Sequence, residues 1–294
     1  MYGIHENLKG EGKMKFTKIQ GNGNDFIVME NMEGQFSSDF LSSLVLKVCK
    51  RRYSIGADGI LVMESSDRGD FKMRLFNSDG SEGEMCGNGA RCIARYAFEK
   101  GKAAASMSFE TLAGDIHASV EGRQVKLDMG CVKPEVDISE GCLEFQGQEF
   151  GYFFLQLGVP HCVIFLPGAM NASREHLVAL GRSVRNRLDL FPHGTNVNFV
   201  EITGDNSINA VTYERGVEDL TESCGTGSTA SAMVSFFQKG LSTPVQVTNP
   251  GGVNTVHLEM DEDRQYCETA LEGFTTIVAS GQVGEDIMKD IGTE

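Results

Sequence analysis

Along most of the chain, apolar and polar positions alternate or form short apolar runs, and only a few stretches carry a helical period. Asp115-Ile-His-Ala-Ser-Val120 and Gln124-Val-Lys-Leu-Asp-Met129 alternate like two hairpin arms, with Glu121-Gly122 as the expected turn. Val253-Asn-Thr-Val-His-Leu-Glu-Met260 shows the same period. Helices are predicted over 38–51, with Ser37 or Ser38 as the cap, and over 86–100, 173–187 and 225–239. The expected fold class is therefore α/β of a mixed, strand-rich kind with few helices.

The pattern also repeats. Gly59-Ile-Leu-Val-Met-Glu64 is followed by Lys72-Met-Arg-Leu-Phe-Asn77, a polar loop, Cys86-Gly-Asn-Gly89 and a helical stretch. Asn196-Val-Asn-Phe-Val-Glu-Ile202 is followed by Asn209-Ala-Val-Thr-Tyr-Glu-Arg215, a polar loop, Cys224-Gly-Thr-Gly227 and another helical stretch. Cys86 and Cys224 are 138 residues apart, close to half the chain length. Gly23-Asn-Asp-Phe-Ile-Val-Met29 echoes Gly158-Val-Pro-His-Cys-Val-Ile-Phe165 at nearly the same offset. Three matches in register imply two copies of one domain. The expected organisation is a disordered extension over 1–13, then a first domain over 14–131 that carries Cys86 and takes back about 276–290. A second domain over 132–275 carries Cys224. Each is expected to be a mixed sheet wrapped on the helix that starts at Cys-Gly-x-Gly.

Composition narrows the partners. The 294 residues include 26 Lys and Arg against 41 Asp and Glu, a formal charge of −15. A surface this acidic repels phosphate backbones and anionic lipid, and no basic cluster offsets it, so neither a nucleic-acid nor a membrane partner is expected. No apolar run reaches the roughly 18–20 residues of a membrane helix. Residues 1–13 carry no apolar export segment, so a cytoplasmic location with reduced thiols is expected. The closest pair among the eight cysteines, Cys86 and Cys92, is too far apart for a CxxC element, and no metal site is expected. The ordinary role of such a cysteine is that of a small buried hydrophobe. Cys86 and Cys224 depart from that role because of where they sit.

A helix N-terminus presents unpaired N–H groups and about half a positive charge, so it attracts carboxylate or phosphate. A cysteine there is expected to have its pKa drawn down toward neutrality. One such element is weak evidence, because small residues often open helices for packing. Two, in duplicated domains that face one another, can converge on one carboxylate with a thiol on either side of the adjacent carbon. That arrangement suits inversion of a stereocentre. One thiolate removes the proton, the opposite thiol supplies another, and the helix-end N–H groups stabilise the charge between.

The residues also resemble a known family. Phe76-Asn-Ser-Asp-Gly-Ser-Glu-Gly-Glu-Met-Cys-Gly-Asn-Gly-Ala-Arg-Cys92 and Tyr213-Glu-Arg-Gly-Val-Glu-Asp-Leu-Thr-Glu-Ser-Cys-Gly-Thr-Gly227 resemble the two signatures of the diaminopimelate epimerases. Gly21-Asn-Gly-Asn-Asp-Phe26, Glu110-Thr-Leu-Ala-Gly114 and Phe191-Pro-His-Gly-Thr-Asn-Val-Asn-Phe199 fit the same family in order. The likeness runs from about Met14 to about Gly284. It implies two pseudo-symmetric barrel-like domains, each around a central helix, and a cofactor-independent isomerase that interconverts LL- and meso-diaminopimelate for lysine and peptidoglycan. By this resemblance Cys86 and Cys224 are the acid/base pair. Gly87, Asn88, Gly225 and Thr226 hold the reacting carboxylate, and Asn24, Asn77, Asn196, Glu214 and Arg215 hold the far amino-acid head. His161 is a candidate support for a thiol. The partner is a small amino-acid substrate, and a homodimer is compatible with the pattern.

The chain departs from the family where Val159 replaces the asparagine of a Gly-Asn-Pro-His run, and where Phe274-Thr275 replaces Pro-Ala. Val159 keeps open a second reading, a pyridoxal-phosphate-independent racemase of another amino acid. A third, a non-catalytic anion-binding protein, leaves the paired cysteines unexplained.

Overall fold

The computed structural model describes residues 14–289; the extension expected at 1–13 lies outside them. The chain starts with β1 (Lys15–Gly21), β2 (Asn24–Glu30), α1 (Ser38–Val48), β3 (Gly59–Glu64), β4 (Phe71–Asn77), β5 (Glu82–Gly83), α2 (Gly87–Glu99), β6 (Ser106–Thr111), β7 (Gly114–Glu121) and β8 (Gln124–Val132). It continues through α3 (Pro134–Asp137), β9 (Ser139–Phe145), β10 (Gln148–Leu157), β11 (Val159–Phe165), α4 (Arg174–Arg185), β12 (Asn196–Gly204), β13 (Ser207–Glu214), β14 (Asp219–Thr221), α5 (Gly225–Lys239), β15 (Val245–Asn249), β16 (Gly252–Met260) and β17 (Cys267–Phe274). β18 (Thr276–Gln282) and α6 (Glu285–Lys289) follow.

The strand pairing reproduces the repeat. β1–β2 is antiparallel, β2–β3 parallel, β3–β4 antiparallel, β4–β6 parallel, and β6–β7–β8 antiparallel. β10–β11, β11–β12, β12–β13, β13–β15 and β15–β16–β17 follow the same sequence of directions. β8 and β17 pair antiparallel and join the halves. The chain then exchanges strands. β9 leaves the first copy and pairs with β10, while β18 leaves the second and pairs with β1.

Each copy has two cores. α2 and α5 are buried on nearly every side, as helices enclosed by sheet must be, and their Gly, Ala and Ser residues let the strands approach. α1 and α4 cover the outer faces. Leu41, Leu44, Val45 and Val48 in α1, and Leu177, Leu180, Gly181 and Val184 in α4, show the same i, i+3, i+4, i+7 spacing. Four apolar clusters result, one inside and one outside each sheet.

Two local expectations shift. The β7–β8 turn falls on Gly122-Arg123, because Gly122 takes the left-handed conformation at φ +56°. α1 stops at Val48, three residues early, and the chain passes through left-handed Arg52 and Gly56.

Candidate active site

α2 and α5 point their N-termini at each other. Cys86 and Cys224 occupy the capping positions in the same extended conformation, and their sulfurs accept from Gly89 N–H at 3.5 Å and Gly227 N–H at 3.4 Å. Gly87 and Gly225 abut: a methyl built on Gly225 would stand 3.6 Å from the Gly87 Cα and 2.9 Å from Leu271. The two helix ends are in van der Waals contact, so the convergence expected from the repeat is present in the fold.

The thiols themselves are less acidic than a helix end alone predicts. Cys224 is only 8% exposed, and burial pushes its pKa up, with the Glu214 carboxylate adding to the effect. The Thr226 hydroxyl and the Gly227 N–H act the other way. Cys86 is also raised, chiefly by burial, with the Gly89 N–H opposing and Glu214 reinforcing. At both sulfurs desolvation outweighs the helix-end donors, which corrects the expectation of near-neutral thiols.

Around Cys86 the polar groups form a chain. The Cys86 thiol donates to Asn24 Oδ1 at 3.5 Å, and Asn24 Nδ2 donates to Asp58 at 2.8 Å. Asp58 and Asp25 are in turn held by Arg51. The carboxylate thereby fixes which end of the Asn24 amide faces the thiol. Asn88, 2% exposed, donates to the Ser223 carbonyl at 3.0 Å and so ties the first helix end to the loop before Cys224.

In the second half, Asn196 donates to the Pro160 carbonyl at 3.1 Å and accepts from the Arg215 backbone N–H at 2.9 Å. The Arg215 guanidinium donates to the His193 carbonyl at 2.8 Å. Burial pushes Glu214 above the usual carboxylate range, opposed by the Thr221 hydroxyl. His161 is fully buried, and its Nδ1 stands 3.2 Å from the amide nitrogen of Asn198. Asn198 accepts from Thr212 at 2.9 Å and donates to the Cys162 carbonyl. Those bonds make the amide a donor toward His161 Nδ1 and put the imidazole proton on Nε2. Burial and the nearby Arg215 charge lower the His161 pKa to about 3.

The structure thus brings Cys86, Cys224, Gly87, Asn88, Gly225, Thr226, Asn24 and Glu214 together. Asn77 is exposed, and its amide donates to Ser81 in the β4–β5 turn. β4 ends at Asn77 as β13 ends at Glu214, so the two hold corresponding places in the copies. Asn24 and Val159 likewise open β2 and β11. Sequence reading missed Asp58, Arg51 and Asn198. Asn198 is two residues from Asn196 on a strand, which puts both on one face, and that spacing was a usable signal. The six remaining cysteines divide: Cys49, Cys92, Cys162 and Cys267 are buried, whereas Cys131 and Cys142 are exposed rather than core.

This architecture is that of the two-domain epimerases and racemases. The chain superposes on a hydroxyproline epimerase from Agrobacterium vitis with a TM-score of 0.67 at 16% identity, covering 93% of each chain. It superposes on a Bacillus anthracis phenazine biosynthesis protein of the PhzF family with a TM-score of 0.68 at 13% identity, covering 93% of this chain and 99% of that one. At these identities the superpositions show the shared fold alone. The diaminopimelate epimerase family model matches residues 16–134 and 153–273. The diaminopimelate epimerase of Aquifex aeolicus is 40% identical over 94% of this chain and the whole of its own length. That of Archaeoglobus fulgidus is 39% identical over 86% of this chain and 92% of its own. The chain belongs to the diaminopimelate epimerase family, and it is an isomerase.

Proposed function

We propose that this chain interconverts LL- and meso-diaminopimelate by two-base proton transfer between Cys86 and Cys224. The observation that carries the reading is the abutment of two cysteine-capped helix ends at Gly87 and Gly225. The N–H groups of Gly87, Asn88, Gly225 and Thr226 hold the reacting carboxylate. One thiolate takes the α-hydrogen as a proton and becomes a thiol. The electron pair left on carbon is drawn into the carboxylate, and the opposite thiol returns a proton to the other face and becomes a thiolate. The stereocentre is inverted with atoms and charge conserved. The chemistry calls for no cofactor or metal.

Asn24, Asn77, Asn196, Glu214 and Arg215 hold the second amino-acid head in this reading: Arg215 clamps a carboxylate and Glu214 accepts from an ammonium. His161 supports the Cys224 half as a neutral group. Val159, which stands where the first copy has Asn24, favours the second reading of a racemase for another amino acid, because valine cannot hydrogen-bond to a distal head. We also assign the copies to 14–131 with about 276–290 and to 132–275, a division supported by the strand exchange of β9 and β18. A cytoplasmic location is supported by eight free thiols. No described helix is long and apolar enough to cross a membrane. A homodimer is supported by Ile277 and Val278, exposed on β18, and sedimentation of the purified protein checks it.

The deciding experiment is NMR of the protein with LL-diaminopimelate in deuterium oxide, without pyridoxal phosphate. The expected result is deuterium at one α-carbon together with the meso isomer. Racemisation of lysine, ornithine, glutamate or histidine ahead of diaminopimelate would promote the second reading.

A further inference from the structure

One strongly polar group beside the thiols has no place in that mechanism. Arg91 lies in α2, fully buried, with its side chain against the backbones of Gly21 and Gly273. Its Nη2 donates to Asn88 Oδ1 at 2.7 Å. Nε and Nη1 are buried and reach no acceptor among the described residues, and no described carboxylate lies within ion-pair distance. Burial lowers the Arg91 pKa, yet a guanidinium stays protonated in proteins. A buried cation without a counter-charge is costly, and a fold that retains one implies an anion that arrives or forms nearby.

The anion that forms nearby is a thiolate. Arg91 holds Asn88 by its oxygen, and Asn88 Nδ2 reaches the Ser223 carbonyl and, at 3.5 Å, the Asn24 Oδ1 that also meets the Cys86 thiol. The second copy lacks this device: at the same offset α5 has Thr229, whose hydroxyl donates to the Gly225 carbonyl at 3.1 Å. The other charged groups around the thiols are Glu214 on β13, which disfavours both thiolates, and the Asp25–Asp58–Arg51 cluster behind Asn24. The remaining ones are Cys92 beside Arg91, and Arg215 next to His161. The two thiols therefore sit in unequal fields although the helices around them are copies.

We propose that Arg91 is a positioning residue of the first helix end, holding Asn88 across the seam and biasing the pair so that Cys86 ionises ahead of Cys224. The proposal rests on the two-thiol reading above. Under it, Cys86 is the first of the pair to supply the thiolate that removes a proton. A turnover in that direction leaves Cys86 protonated and Cys224 ionised, and proton exchange with solvent restores the start.

The test is alkylation by iodoacetamide across a pH series, with each cysteine followed by peptide mass spectrometry. In the unmodified protein Cys86 should titrate at lower pH than Cys224. Arg91→Met, close in volume and uncharged, should raise the Cys86 midpoint by about one unit, move Cys224 less, and lower kcat by about tenfold or more. Arg91→Lys keeps the charge without the fork, so the Cys86 midpoint should stay near its original value while kcat falls for loss of the Asn88 bond. A purely structural Arg91 would leave both midpoints unmoved. Equal midpoints in the unmodified protein, or an unmoved Cys86 midpoint in Arg91→Met, overturn the proposal; if Arg91→Met fails to fold, the first comparison decides it. Full activity in Cys86→Ala would instead overturn the two-thiol reading on which it rests.

Discussion

A cysteine capping a buried helix end feels two opposed influences, donors that favour the thiolate and desolvation that disfavours it. In this chain desolvation prevails at both sulfurs, and in the proposed two-base reading each thiol depends on its opposite number and on the N–H groups around it. Replacing either Cys86 or Cys224 by alanine should lower kcat by orders of magnitude, and replacing both should cost little more, because a proton relay fails as a unit. Steady-state kinetics of the three variants check this, with Cys142→Ala as the unaffected control. His161 supplies a different prediction. Its folded pKa of about 3 lies below the unfolded value of about 6.5, so the folded state refuses a proton that the unfolded chain accepts. The stability it contributes is complete above about pH 6.5 and is lost as pH falls toward 3, by at most about 1.4 kcal/mol per pH unit. Urea unfolding at pH 7 and pH 5 should show this slope, and His161→Gln should flatten it. The imidazole should also show no NMR titration between pH 5 and 8.

At the scale of elements, α2 and α5 were the most legible part of the chain, because cap, glycines and helical stretch are contiguous and occur twice. The edge strands β9 and β18 were not, since their partners β10 and β1 are specified by topology rather than by local pattern. Arg91 was invisible for a related reason: an arginine inside a helical stretch ordinarily faces solvent, and only the enclosing sheet shows that this one does not. Equivalent positions also differ in ways that sequence symmetry hides. A methyl on Gly227 would stand 2.5 Å from Asn198 Oδ1 and 3.1 Å from Thr212 Oγ1, inside the bonded group that holds His161. A methyl on Gly89 meets only the mobile ends of Leu61 and Met73, at 3.2 and 3.5 Å, and the Cys86 Cβ at 3.5 Å. Gly227→Ala should therefore cost about 1–3 kcal/mol in urea unfolding, and Gly89→Ala well under 1 kcal/mol. Equal costs would show that the Asn198 group yields freely.

At the scale of the whole molecule, the candidate site is assembled across a seam, one helix end from each copy. Besides β8 and β17, the seam is held by Asn22, whose amide donates to Asn254 Oδ1 at 2.7 Å, and by Asn254, whose amide reaches the hydroxyls of Ser223 and Ser228. The duplication and its offset could be read from the sequence. This network could not, because Asn22 and Asn254 lie 232 residues apart; alone, Asn22 looks like an ordinary turn residue and Asn254 like a polar position of a strand. The β15–β16 turn packs against the β1–β2 turn so closely that a methyl on Gly251 would stand 2.1 Å from the Asn22 carbonyl oxygen. That atom is backbone and cannot swing aside, so Gly251→Ala must part the two turns or distort both. The expected cost is about 1–3 kcal/mol, and kcat should fall with it, although Gly251 has no part in the chemistry. Gly151→Ala on β10, where a methyl meets open space, is the matched control and should change neither quantity. Because the copies share strands as well as this seam, heat unfolding should remain a single transition in all three proteins. A Gly251→Ala protein that loses stability while keeping full kcat would show that the seam holds the copies together without setting the distance between the helix ends.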